Sequence, residues 1–173
     1  MSRAAWALFP TLLVFGCTPE KTARPLESPI GHAVYVWQRL WTGEVRNALQ
    51  LAAPPMDHFW VLAGELERSE TQWKHVPVAV DWNALAETGK DAWCIFRIHE
   101  GGIGSEGWPE EVFARMADAC LAEAHGAGMH LRGVQVDYDC PTEQLAAYGK
   151  WLRGVSDHLQ GTALSITASW RPI

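Results

Sequence analysis

The sequence predicts an α/β fold on parallel strands, either a partial TIM-type (β/α) barrel or an open doubly wound sheet. Three observations carry this. Along residues 32–170, short apolar runs of period two alternate with amphipathic runs of period three to four. Strands separated by helices form βαβ units, and such units assemble parallel sheets. The 173 residues supply about five or six strands, whereas a complete eight-fold barrel takes ~250 residues. On the barrel reading, residues 32–173 are therefore the N-terminal portion of a barrel truncated at its C-terminus.

The first segment is read as an address rather than as fold. In "MSRAAWALFPTLLVFGCTPEK", Arg3 is a minimal positive start, and residues 4–15 are mostly apolar. That run is too short to span a bilayer. "VFGC" resembles a bacterial lipobox, in which the cysteine is lipidated and becomes the mature N-terminus. Gly16 and Cys17 match it, Val14 is compatible, and Phe15 is bulkier than the pattern. Residues 1–17 thus read as a lipoprotein signal peptide, and the Pro-containing residues 18–31 as a linker. The expectation is a cell-envelope protein held to the membrane through Cys17, with secretion as the alternative.

The elements then follow in order. Residues 32–41, "HAVYVWQRLW", read as a strand. Residues 42–55 read as a helix capped by Thr42 and stopped by Pro54 and Pro55. Residues 58–67 are a second strand, and "HVPVAVDW" is extended. A brief helix opens at Asp81 and closes at Gly89. Residues 92–100 are a strong strand. The best helix covers 109–127: Pro109 suits its first turn, and Val112, Phe113, Met116, Cys120, Leu121 and Ala124 form one stripe. Residues 130–138 are the next strand. Residues 141–160 form a helix with Leu145, Tyr148, Leu152, Val155 and Leu159 three and four apart, and 162–170 a final strand.

A net charge of −6 and a pI near 5.6, with no Lys/Arg cluster, exclude a nucleic-acid partner. Besides Cys17, the chain has Cys94, Cys120 and Cys140, with no C-x-x-C spacing for zinc. Cys94 and Cys120 read as small buried hydrophobes. One disulfide among the three is compatible with an oxidising envelope. Gly102, Gly104 and Gly107 match G-x-G-x-x-G, but Pro109 starts the helix after that motif and no acidic strand end follows at the required distance. The stretch reads as a loop at the mouth of a site. The seven histidines form no H-x-x-x-H pair, and no cofactor or metal is expected.

The informative stretch is "RGVQVDYDCPT". Alternation puts Leu131, Gly133, Gln135, Asp137 and Asp139 on one strand face and Val134, Val136 and Tyr138 on the other. A strand buried on both faces would be continuously apolar. This one turns polar on one face toward its C-terminal end, where α/β enzymes place their sites. The strand "WCIFRIHE" repeats the pattern with Trp93, Ile95, Arg97 and His99. Were the two strands neighbours, roughly 4.8 Å apart, Arg97 would pair with Asp137 and leave Asp139 freer to hold a proton. Two other readings stay open. Asp139 could cap the helix near Pro141 with Asp137 in a structural ion pair, or the two could hold a divalent cation.

These residues resemble the family 18 chitinases, whose fourth barrel strand carries Asp-Gly-x-Asp-x-Asp-x-Glu followed by an aromatic residue and often proline. Gly133, Asp137 and Pro141 match, and Tyr138 replaces the usual aromatic. Arg132 and Gln135 replace the first two aspartates, and Asp139 stands at the glutamate position, one methylene shorter. More closely, "VYVWQRLW", "GVQVDYDCPT" and "LSITASW" look like an uncharacterised family of bacterial envelope proteins with a glycosidase-like barrel. The resemblance implies glycoside hydrolysis or polysaccharide binding. Asp139 would be the general acid, and Asp137 would orient substrate or stabilise developing positive charge. A non-catalytic envelope lipoprotein with a degenerate glycosidase-like fold is the alternative.

Ten tryptophans suit sugar recognition, because a ring offers a rigid apolar face beside polar contacts. Trp37 and Trp170, near strand ends, are candidate platforms, while Trp60, Trp93 and Trp151 are expected in the core. Glu65, Arg97, His99 and Gln135 complete the expected substrate-binding set around Asp137 and Asp139.

Overall fold

The computed structural model describes residues 31–69, 72–99 and 107–167. The signal segment, Cys17, the glycines at 102 and 104, and Trp170 lie outside them. Six strands form one sheet: β1 (Ala33–Val36), β2 (His58–Arg68), β3 (Trp73–Pro77), β4 (Asp91–Ile98), β5 (Leu131–Asp137) and β6 (Ala163–Ile166). Helices α1 (Gly43–Ala52), α2 (Trp82–Ala86), α3 (Glu110–Gly126) and α4 (Leu145–His158) lie between them. No helix among the described residues is long and apolar enough to cross a membrane.

The strand order is β1-β2-β4-β5-β6, with every neighbouring pair parallel. It runs in one direction along the chain, with no reversal of the kind a doubly wound sheet makes at its switch point. Among the described residues, helices α1 to α4 pack against one face. Phe59, Val61, Leu66, Cys94, Phe96, Val134, Val136 and Tyr138 share a core with Leu49 of α1, Leu85 of α2, Phe113 of α3 and Trp151 of α4. Leu62 and Ile95 are as buried but lie outside that core, on the opposite face. Helices on one face and strands in chain order are the arrangement of a (β/α) barrel wall.

The local signals hold. The Thr42 hydroxyl accepts from the Val45 amide, and Asp81 accepts from the Ala84 amide at 3.0 Å. Gly89 closes α2 with φ +67°, a conformation costly for a side chain. Other expectations change. The segment expected only as extended contains β3, which is antiparallel. β1 pairs with residues 58–61 of β2, and β3 takes over further along, from Gly64 to Arg68. The helix expected over 141–160 opens with a 3-10 turn at Thr142–Gln144 before α4. Trp151 is buried as expected, while Leu145 of the expected stripe is exposed.

Two bulges decide which face each side chain takes. In β2 the register passes from Leu62↔Ile95 to Gly64↔Phe96, so Ala63 is an extra residue. An extra residue exchanges the faces of everything beyond it. Without it, Glu65 would join Phe59 and Val61 in the helix-side core; with it, Leu66 does. In β5, Arg132 is extra between Leu131 and Gly133. Leu131 therefore packs toward the core rather than sharing a face with Gly133, which corrects the alternation read from the sequence.

On the open face the register lines side chains into rows. Tyr35, Trp60, Trp93 and Gly133 form one, Leu62, Ile95 and Gln135 the next, and Glu65, Arg97 and Asp137 the last. Trp60 and Trp93 are thus on the open face and half-buried, not in the core as the sequence suggested. Tyr35 stacks on Trp60 at 5.6 Å and Trp60 on Trp93 at 4.7 Å. The column ends over Gly133, where an added Cβ would lie 2.4 Å from the Trp93 ring and 2.3 Å from the Ala163 carbonyl oxygen. Gly133→Ala is expected to destabilise the protein by about 1–3 kcal/mol in urea unfolding. Gly149→Ala, in open space on α4, is the control, with a gain of about 0.5–1 kcal/mol.

Candidate functional site

The last row sits at the C-terminal ends of the parallel strands. The Ala63 bulge turns Glu65 into it, β4 supplies Arg97 and leads into His99, and β5 supplies Asp137. Glu65 is 1% exposed. An unpaired carboxylate at that burial would cost several kcal/mol. Two partners offset the cost: Arg39, just past β1, donates through Nη2 at 2.6 Å, and His99 Nε2 bonds the same Oε2 oxygen. Burial pushes the Glu65 pKa up. The His99 hydrogen bond, the Arg39 hydrogen bond and the nearby positive charge outweigh it, so the carboxyl titrates below its usual value of 4.5.

Asp137 is held from two sides. Its Oδ1 accepts from the Thr167 hydroxyl at 2.7 Å, and Thr167 Oγ1 in turn accepts from the Tyr138 amide at 3.2 Å. Arg97 Nε stands 3.8 Å from Oδ2, the pairing expected from the strand spacing. The Arg97 guanidinium also lies 5.8 Å from the centroid of the Trp37 ring. Trp37 follows β1, is 40% exposed and stacks on Tyr35 at 5.8 Å. It therefore joins the charged row to the aromatic column.

Asp139 lies two residues beyond β5, exposed, and accepts no hydrogen bond among the described residues. It does not cap the following turn, which starts at Pro141 without a side-chain cap. That removes the capping alternative. Asp139 instead lines a cleft of about 270 Å³ with Arg97, Ile98, His99 and Asp137. A larger cleft of about 670 Å³ lies against α1, α2 and the end of α3, and none of the expected site residues lines it.

The two motif departures have structural reasons. Arg132 is at the other end of the sheet, where its Nε binds Asp91 at 3.0 Å and its Nη1 meets His58 Nδ1 at 3.2 Å. Gln135 is beneath the mouth rather than in it. It is 2% exposed and accepts from the Tyr35 hydroxyl at 3.4 Å, and its amide nitrogen has no partner among the described residues. Tyr138, between Asp137 and Asp139, turns into the core against Trp108 and Tyr148.

Sequence reasoning thus brought Trp37, Glu65, Arg97, His99, Asp137 and Asp139 to one end of the sheet, where the structure also has them. It missed Arg39, Thr167 and the aromatic column. The signal for Arg39 was present in "WQRLW", where polar residues break the strand. Nothing in the sequence marks Thr167. A metal alternative was read on Asp137 and Asp139. The structure groups different residues: Glu65, Glu67 and His99 each offer one ligand atom within 4.8 Å of the others. Arg39 and His99 already bond the Oε2 oxygen of Glu65.

No family model matches the chain, and no curated protein matches it. Among solved structures, the chain is similar to the Bacillus cereus spore cortex-lytic enzyme SleL, at 18% identity and a TM-score of 0.49. The similarity covers 79% of this chain and 34% of that one, so this chain spans about a third of that structure's length.

The Glu65 network makes a pH prediction. A carboxyl whose folded-state value is lowered adds stability that is present above its unfolded value, near 4.5, and is lost as pH falls through the folded value. Glu65→Gln is expected to cost about 1.5–3 kcal/mol at pH 7, the range for hydrogen bonds to charged groups. The difference from wild type should shrink as the pH drops below 4.5. Urea melts of both proteins from pH 7 to pH 3 measure this, and a constant difference would contradict it.

Proposed function

We propose that this protein binds a polysaccharide across the open face and hydrolyses it at the strand ends. One observation carries the reading: an aromatic column and a row of charged side chains share the sheet face opposite the one on which α1 to α4 pack. Sugar rings present apolar C–H faces and a rim of hydroxyls. A site for them needs flat aromatic surface next to fixed donors and acceptors. Trp37 supplies the exposed ring, and Arg97, His99 and Asp137 supply the polar contacts.

Hydrolysis of a glycosidic bond takes two carboxyl groups with different roles. Asp137 is held by Thr167 and Arg97, which suits a group that stays fixed and negative beside developing positive charge. Asp139 is exposed in the same cleft, has no hydrogen-bond partner among the described residues, and stands at the position of the motif's acid. Its side chain is one methylene shorter than the glutamate of the motif it resembles, by about 1.5 Å. The substrate must therefore approach closely, and turnover should be slow.

Binding to insoluble envelope and extracellular polysaccharides, with release of reducing ends, tests this. Trp37→Ala is expected to weaken binding at least tenfold, the scale of one lost stacking contact. Asp139→Asn should retain binding and abolish release. Wild type that neither binds nor cleaves any polysaccharide tested would refute the proposal. Binding that survives both Trp37→Ala and Asp137→Ala would place the site elsewhere.

The lipobox-like end of the apolar run supports a cell-envelope location with Cys17 lipidated. Radiolabelled palmitate supplied to a bacterium expressing the chain should enter the wild type and not Cys17→Ala. Equal labelling of both would rule out that anchor.

A further inference from the structure

Cys94 and Cys120 belong to the two elements at the centre of the fold. Cys94 is on the core face of β4, and Cys120 is on the face of α3 that packs against it. Both are buried, and their sulfurs are 2.9 Å apart. Each is the other's only hydrogen-bond partner among the described residues. Bonded sulfurs are separated by about 2 Å, so closing this gap takes a movement of less than an ångström. Cys140, beside the site, donates instead to the Pro141 carbonyl at 3.4 Å and is only half-buried.

From this geometry we infer that Cys94 and Cys120 are joined by a disulfide when the chain folds in an oxidising compartment. The bond would tie β4 to α3 through the middle of the core and leave Cys140 as a thiol. It forms by exchange with a small-molecule or protein disulfide. One cysteine thiolate attacks a donor sulfur, the other cysteine then attacks the mixed disulfide, and two electrons and two protons leave with the donor as two thiols.

The order of events follows from burial. Thiolate is the attacking species. Burial, together with Cys120 alongside, holds the Cys94 thiol far above its ordinary range in the folded protein. Exchange therefore takes place while the core is still open. Once the core has closed, the same burial shields the bond from reductant. A protein folded in a reducing cytosol keeps both thiols and does not oxidise readily afterwards.

The full chain, refolded with reduced and oxidised glutathione, provides the test. It would be unfolded in acid, alkylated without reduction and digested. The expected map holds one linked pair of peptides carrying Cys94 and Cys120, with Cys140 alkylated. The linked protein should be about 2 mass units lighter than the reduced protein and melt several degrees higher. Separate alkylation of Cys94 and Cys120, or linkage of either to Cys140, would overturn the inference. Cys94→Ala gives a second reading: it should leave Cys120 alkylated and abolish the difference in melting temperature between oxidised and reduced protein. Should that variant fail to fold, the peptide map of the wild type still decides.

Discussion

Residues on a strand take alternate faces, and in this sheet α1 to α4 pack on one of them. That constraint sets everything at the mouth. Once α1 to α4 bury Phe59, Cys94, Phe96, Val134 and Val136, the intervening side chains meet no helix among the described residues. Parallel pairing then places equivalent residues of neighbouring strands side by side. Aromatic residues meet as a column and charged residues as a row. The row is stable because its charges alternate in register: Glu65, Arg97, Asp137. Like charges placed directly opposite would have been destabilising.

The mouth also shows how a buried carboxylate is tolerated. Glu65 lies deepest, and its two partners, Arg39 and His99, come from segments just past two other strands. The carboxylate therefore does more than fill space: it fixes the approach of the segment after β1 and the ring of His99. Asp137 is anchored from the opposite side by Thr167, just past β6. Every strand of the parallel series thus has a residue in or beside the network. Asp139 stands apart, exposed in the cleft with no protein partner among the described residues.

Much of this was legible in the sequence. Strands β2, β4 and β5 and helix α3 follow from long periodic runs, in which many residues agree on one period. The turn to polar residues at the ends of β4 and β5 marked Arg97, His99, Asp137 and Asp139, because no apolar core accepts them there. The short elements were less clear. β1 keeps only four of the ten residues read as a strand, since its pairing stops before β3 takes over the edge of β2. Trp60 and Trp93 were misassigned because tryptophan is favoured in a core and on an open aromatic face alike. Leu131 was placed on the wrong face by one residue.

The sequence by itself determined most of the element types, the parallel α/β class and the polar strand ends, because each is a local consequence of side-chain period and charge. Only the tertiary structure decided the face on which Glu65 lies, since one extra residue at Ala63 exchanges inside for outside and leaves no local mark. It also brought Arg39 and Thr167, far apart in the chain, to the two acids they hold. It placed Cys94 against Cys120 across 26 residues. Those pairings depend on how strands register and helices dock, and periodicity along a single segment carries no information about either.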